Sequence, residues 1–103
     1  MSIGIRKHKL LTQEIIKRLP PLYSQQNNPD PIVQVKFFSP YNGWTWYAYE
    51  YDPEQGLFFG LVKGFDDEIG YFSLQELEEA NKNGLPLVER DLHFQPQPLS
   101  QCK

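Results

Sequence analysis

The chain's 103 residues, 40% apolar and 22% charged, match one globular domain and exclude a chain that is disordered throughout. Its single cysteine, Cys102, excludes an intrachain disulfide and a Cys/His zinc cluster, and no apolar run approaches the roughly 20 residues a membrane helix needs. The net charge of −3 hides a division: residues 44–81 hold nine acids and one base, a balance of −8, while the remainder holds nine bases and four acids, which argues against the middle as a nucleic-acid platform.

Residues 1–10 are a basic lead without the apolar core of a signal peptide, so a cytoplasmic protein is expected. Thr12 reads as the N-cap of a helix over 13–19. Glu14 falls in its first turn and Lys17 and Arg18 in its last, as the helix dipole favours. Leu11, Ile15, Ile16 and Leu19 share a face, and Pro20-Pro21 stops the helix. Leu22 and Tyr23 are positioned to dock on the body, and 24–31 is a polar, proline-punctuated loop.

Residues 32–72 read as a meander. A strand over 32–38 puts Val33, Val35 and Phe37 on one face, and Ser39–Gly43, with its Asn-Gly pair, is a turn. In the strand 44–51, alternation sets Trp44, Trp46, Ala48 and Glu50 against Thr45, Tyr47, Tyr49 and Tyr51. Residues 52–56 form a hairpin loop before a strand over 57–65, where Gly60 and Gly64 signal a bulge or a close approach. An acidic turn, Asp66–Glu68, precedes a short strand over 69–72.

Ser73-Leu74-Gln75-Glu76 is a capping box, with Phe72 and Leu77 at the positions of a hydrophobic staple. The helix is predicted over 74–82, stopped by Asn83-Gly84 and Pro86. Leu87–Phe94 is a last strand or extended arm, and the polar, proline-rich tail is not expected to pack deeply. The predicted fold is α+β, an antiparallel sheet of three to five strands with two short helices in one domain over 11–95, flanked by a flexible lead (1–10) and tail (96–103). Val33, Val35, Phe37, Trp46, Phe59, Leu61, Phe72, Leu74 and Leu77 form the predicted core.

Several blocks, in this order, carry a family resemblance: Leu19-Pro20-Pro21-Leu22-Tyr23, Lys36-Phe37-Phe38, Trp44-Thr45-Trp46-Tyr47, Phe58-Phe59-Gly60-Leu61-Val62, Gly70-Tyr71-Phe72-Ser73-Leu74 with Glu76-Leu77, and Glu89-Arg90-Asp91-Leu92 with Phe94. Over roughly residues 10–99 the chain resembles a bacterial domain-of-unknown-function family found mainly on plasmids, phages and other mobile elements. The resemblance implies an accessory protein of mobile DNA, acting in defence, counter-defence or element maintenance. It brings no catalytic residue.

Two surfaces are candidates for binding a protein partner. Tyr47, Tyr49 and Tyr51 would form an exposed aromatic face, rich in the residue types that anchor interfaces. Asp66, Asp67 and Glu68, with Glu76 and Glu79 at i, i+3 on the second helix, would form an acidic face able to occupy a basic nucleic-acid enzyme. Against these stand a strand buried by a helix on one side with amphipathic tyrosines on the other, and an ordinary solvated helix surface. The alternative function is single-stranded nucleic-acid binding through the rings of 44–51, although such platforms also need a positive groove. A second alternative is a small enzyme using Glu89 and Asp91; an ion pair from Arg90 to the acidic middle is the structural reading of that segment. His8 and His93 lack partners at ligand spacing, so no metal or cofactor is expected.

Overall fold

The computed structural model describes residues 9–81 and 87–102. The elements run α1 (Gln13–Arg18), β1 (Ile32–Val33), β2 (Val35–Phe38), β3 (Thr45–Asp52), β4 (Leu57–Lys63), β5 (Asp67–Ser73), α2 (Leu74–Glu79), β6 (Glu89–Arg90), β7 (Gln97–Pro98) and the short 3-10 turn Leu99–Gln101. Five strands form one antiparallel sheet in the order β5-β4-β3-β2-β6, and β1 pairs with β7 in a second, two-stranded ribbon. The fold is α+β, with seven described strands in two sheets where three to five were expected.

Helix α1 is capped as its sequence dictates. Thr12 Oγ1 accepts the Ile15 N–H at 3.2 Å, and Leu19 turns extended before the prolines. Helix α2 has the full capping box: Ser73 Oγ accepts the Glu76 N–H (3.0 Å), and Glu76 Oε1 accepts the Ser73 N–H (3.1 Å). Its helical residues end at Glu79. Ala80 and Asn81 form a turn, so the helix stops short of the predicted end, while Lys82, the Asn83-Gly84 stop and Pro86 lie outside the described residues, as do residues 1–8 with His8. Beyond the helix, the Asn81 amide holds residue 88 by two bonds: its Nδ2 donates to the Val88 carbonyl and its Oδ1 accepts the Val88 N–H, both at 2.9 Å.

The main core lies between the five-stranded sheet and the two helices. It contains Leu10, Ile15, Leu19, Val35, Phe37, Ala48, Tyr51, Phe58, Phe72, Leu77 and Val88. At its centre the Phe58 ring contacts Phe37 (5.4 Å), Tyr51 (4.6 Å) and Phe72 (5.2 Å). Burying each such side chain contributes about 1.5–3 kcal/mol. A second cluster on the opposite sheet face joins Val33, Tyr47, Tyr49, Leu61 and Leu99.

Three readings of the sequence need correction here. The segment 32–38 is not one strand: pairing breaks at Gln34, so Val33 enters the second cluster while Val35 and Phe37 enter the first. The tail packs, because β7 pairs with β1, Leu99 is buried, and Asp30 accepts bonds from the Ser100 N–H (2.8 Å) and hydroxyl (2.7 Å). Leu87–Phe94 provides a strand of only two residues, β6. Of the predicted core, Trp46, Phe59 and Leu74 are half-buried and the other six residues are buried.

Of the bulge or close approach expected at Gly60, the structure has a close approach at Gly60 itself and a bulge on the facing strand, β3. The β3–β4 register runs Ala48↔Gly60 and then Glu50↔Phe59, leaving Tyr49 as the extra residue. A Cβ at Gly60 would stand 1.8 Å from the Tyr47 carbonyl oxygen, so only glycine permits this approach. The extra residue also reverses alternation beyond it. Tyr51 joins Ala48 and Phe58 on the core face, and Glu50 joins Tyr49 on the other.

Candidate functional site

The site begins with the ring of Trp44. The turn 39–43 delivers this residue to the sheet: Ser39 N–H donates to the Trp44 carbonyl (2.8 Å), and Asn42 Oδ1 accepts the Trp44 N–H (3.0 Å). The indole lies directly over Gly64, where an added Cβ would come within 2.6 Å of it. Phe65 meets it edge-on at 5.4 Å, and Trp46 follows at 6.1 Å. Phe65 itself is 94% exposed and Tyr41 is largely exposed. An aromatic group therefore stands in water at the end of the sheet where β4 turns into β5.

The acidic stretch is covalently continuous with this group, but it is not the expected turn: β4 ends at Lys63, residues 64–66 make the bend, and Asp67 and Glu68 already belong to β5. Asp66, Asp67 and Glu68 are all exposed and follow Phe65 directly. The base at this turn, Lys63, lies 3.5 Å from Asp67 across the i, i+4 spacing, so Asp66 and Glu68 dominate the local charge. On the other side of the tryptophans, a cleft of about 440 Å³ opens between the sheet and α2, lined among others by Tyr41, Trp44, Trp46, Glu76 and Leu77. Glu76 thus borders the same aromatic group. Glu79 is exposed on α2 but does not line the cleft, and its carboxylate accepts a bond from Gln75 (3.2 Å).

The aromatic face expected from Tyr47, Tyr49 and Tyr51 is not there, because Tyr47 is 8% exposed, Tyr49 6% and Tyr51 5%. Tyr47 and Tyr49 lie under the folded-back tail and loop, against Phe94 and Phe59, while the bulge turns Tyr51 into the core. Burial pushes all three phenols above the ordinary tyrosine value. Smaller contributions come from Cys102 and Asp91 at Tyr47, Glu50 at Tyr49, and Glu78 and Asp52 at Tyr51.

Glu50 is 3% exposed, and its two carboxylate oxygens accept the N–H groups of Tyr23 and Gln25, each at 2.8 Å. This carboxylate fixes the chain after the prolines, where Tyr23 has φ +72°, in the left-handed region. Tyr23, Gln25, Tyr49, Glu50, Phe59 and Tyr71 line a second cleft of about 340 Å³. The Tyr71 phenol is raised chiefly by its hydrogen bond with Tyr23.

The Glu89/Asp91 pair is occupied structurally at Asp91. That carboxylate stands 3.6 Å from Lys36 Nζ and accepts the His93 N–H (2.9 Å). Arg90 donates to the Lys9 carbonyl (2.6 Å) rather than to the acidic middle, which corrects the expected ion pair. Cys102 is half-buried, donates to the Pro98 carbonyl at 3.6 Å, and has its thiol pushed up by burial; Lys36 opposes this and Asp30 adds to it. No group of three or more His, Cys, Asp or Glu among the described residues has metal-site geometry. No helix among them is long and apolar enough to cross a membrane.

Sequence reasoning missed the group formed by Phe65 with Trp44, and it missed Glu50. The signal for Phe65 was its place: a phenylalanine between Gly64 and two aspartates sits in a turn, where no strand face can bury it. Glu50 gave no local signal, since its partners lie 25 and 27 positions earlier.

The fold and surface define a small α+β module with an acidic and aromatic end. Its family follows from comparison: the family model described as a protein of unknown function, DUF2958, matches residues 10–102, so the chain belongs to that family. Neither a curated protein nor a solved structure matches it.

Proposed function

We propose that this protein is a non-enzymatic binding module whose acidic and aromatic end engages a basic protein partner. One observation carries the reading: Phe65 stands 94% exposed on the Trp44 ring, and Asp66, Asp67 and Glu68 follow it immediately. Exposing a large apolar ring is unfavourable, and a ring rimmed by charge of one sign suits an interface with an apolar anchor and a complementary rim. Acidic charge accelerates encounter with a basic partner, and the rings slow its release.

The setting we propose is that of an accessory factor of a mobile element. The partner in this reading is a host or element-encoded nucleic-acid enzyme, whose basic surface the acidic end would occupy in counter-defence. Single-strand binding through 44–51 loses support, because Tyr47, Tyr49 and Tyr51 are buried. The test is affinity capture from the native host with the wild-type chain, Phe65→Ser, and a double variant, Asp66→Lys with Glu68→Lys. The reading predicts a basic protein retained by the wild-type chain and lost to both variants while their thermal midpoints stay unchanged. The same retained proteins with all three chains would refute it.

A further inference from the structure

Strand β5 pairs with β4 along one edge over seven residues, and no described element pairs with its other edge. Two bonds bracketing the ladder fix which backbone groups face outward. Leu74 N–H donates to the Gly56 carbonyl (2.9 Å), and Gly64 N–H donates to the Asp66 carbonyl (3.2 Å). In an antiparallel ladder such bonded pairs recur at every second residue, so Glu68, Gly70 and Phe72 exchange bonds with β4. Asp67, Ile69 and Tyr71 direct their N–H and C=O groups away from the sheet. The Ser73 N–H, next in that series, is taken by the Glu76 carboxylate, so the open row ends there.

Long open edges are usually blunted by a bulge, a proline or a covering element. β5 has an unbroken register, contains no proline, and leaves Ile69 and Tyr71 each half exposed. Its start carries Asp67 and Glu68, preceded by Asp66 and the exposed Phe65 ring. A second copy would bring the same acidic stretch to this edge, whereas a basic strand would complement it.

We infer that the outer edge of β5 accepts an extended, basic segment of the protein partner as an added strand; the inference rests on the proposed function and specifies its binding mode. Backbone bonds to Asp67, Ile69 and Tyr71 hold the segment. Its apolar side chains lie beside Ile69 and Tyr71, and its lysines or arginines beside Asp67 and Glu68.

A displayed library of random dodecapeptides selected on the full chain tests this, with binding then measured to the wild-type chain, Ile69→Pro, Ile69→Thr and Phe65→Ser. Proline at 69 removes an outward N–H that β4 does not use, while threonine keeps it. The expected result is enrichment of peptides with two apolar residues at i, i+2 and adjacent lysines or arginines at one end, binding reduced about tenfold or more by Ile69→Pro and little by Ile69→Thr, and slowed amide exchange at 67, 69 and 71. Methylating alternate backbone nitrogens of the selected peptide should weaken binding to the wild-type chain similarly, a readout that does not depend on the proline variant folding. If basic peptides bind, depend on Phe65, and tolerate both Ile69→Pro and backbone methylation, the added strand is overturned and the acidic, aromatic surface stands. If no basic peptide is enriched, both fail. Slowed exchange at 67–71 that depends on protein concentration without peptide would make a second copy the occupant and overturn the inference.

Discussion

Replacing Glu50 with glutamine should destabilise the fold severely. The carboxylate is 3% exposed and accepts two backbone N–H groups at 2.8 Å, those of Tyr23 and Gln25. Each hydrogen bond to a charged group contributes about 1.5–3 kcal/mol. Glutamine keeps one acceptor oxygen but turns its amide N–H₂ toward the second backbone N–H, placing donor against donor in a site with little exposure to water. The segment it restrains includes Tyr23 at φ +72°, a conformation that costs an L-residue roughly 1–2 kcal/mol. The expected loss is about 2–4 kcal/mol, or about 10–25 °C in Tm for a domain of this size. Urea denaturation measures it, with exposed Glu54→Gln as a control expected within about 0.5 kcal/mol of wild type. Amide exchange at Tyr23 and Gln25 should accelerate in the Glu50 variant before exchange elsewhere. A midpoint equal to wild type would refute the reasoning, since it would mean that the carboxylate does not hold this loop.

Ser73→Ala removes the α2 cap and should cost about 0.5–2 kcal/mol in chemical denaturation. Gly64→Ala places a methyl group against the Trp44 ring and should shift its fluorescence while displacing Phe65; an unchanged emission spectrum would show the ring to be elsewhere. The Tyr47, Tyr49 and Tyr51 phenols have folded-state values above the ordinary 10.0, so their contribution to stability is intact below pH 10 and is lost as pH rises past it. Absorbance of tyrosinate should accordingly appear late, together with unfolding, and early reversible ionisation of all six tyrosines would contradict their burial. Single-stranded DNA should bind no more tightly than about micromolar at physiological salt, given the acidic middle, and a submicromolar complex by fluorescence quenching would overturn the charge argument.

What the sequence made legible was local. The Thr12 cap, the Ser73–Glu76 capping box, the turn at Asn42-Gly43 and the close approach at Gly60 each depend on residues a few positions apart, or on a glycine whose need for space shows in the pattern. The errors arose where distant chain segments decide. Tyr47 and Tyr49 lie on the sheet face away from the helices, and strict alternation cannot say that residues 94–102 return to cover one and residues 20–28 the other. The reversal after Tyr49 required knowing that Gly60 sits opposite Ala48. The acidic half of the candidate site was readable from charge alone, and its aromatic half was assigned to the wrong rings: Phe65, Trp44 and Tyr41 replace the buried tyrosines.

The measurement that bears most directly on the central claim is site-specific photocrosslinking in the native host from position 65, using a photoreactive phenylalanine analogue in place of Phe65. Position 92, where Leu92 is exposed but outside the acidic end, serves as the reference. The account predicts a discrete adduct to a basic protein from position 65, absent from position 92 and abolished when Asp66 and Glu68 are replaced by lysine. Adducts that are the same from both positions, or that persist with the charges reversed, would contradict it.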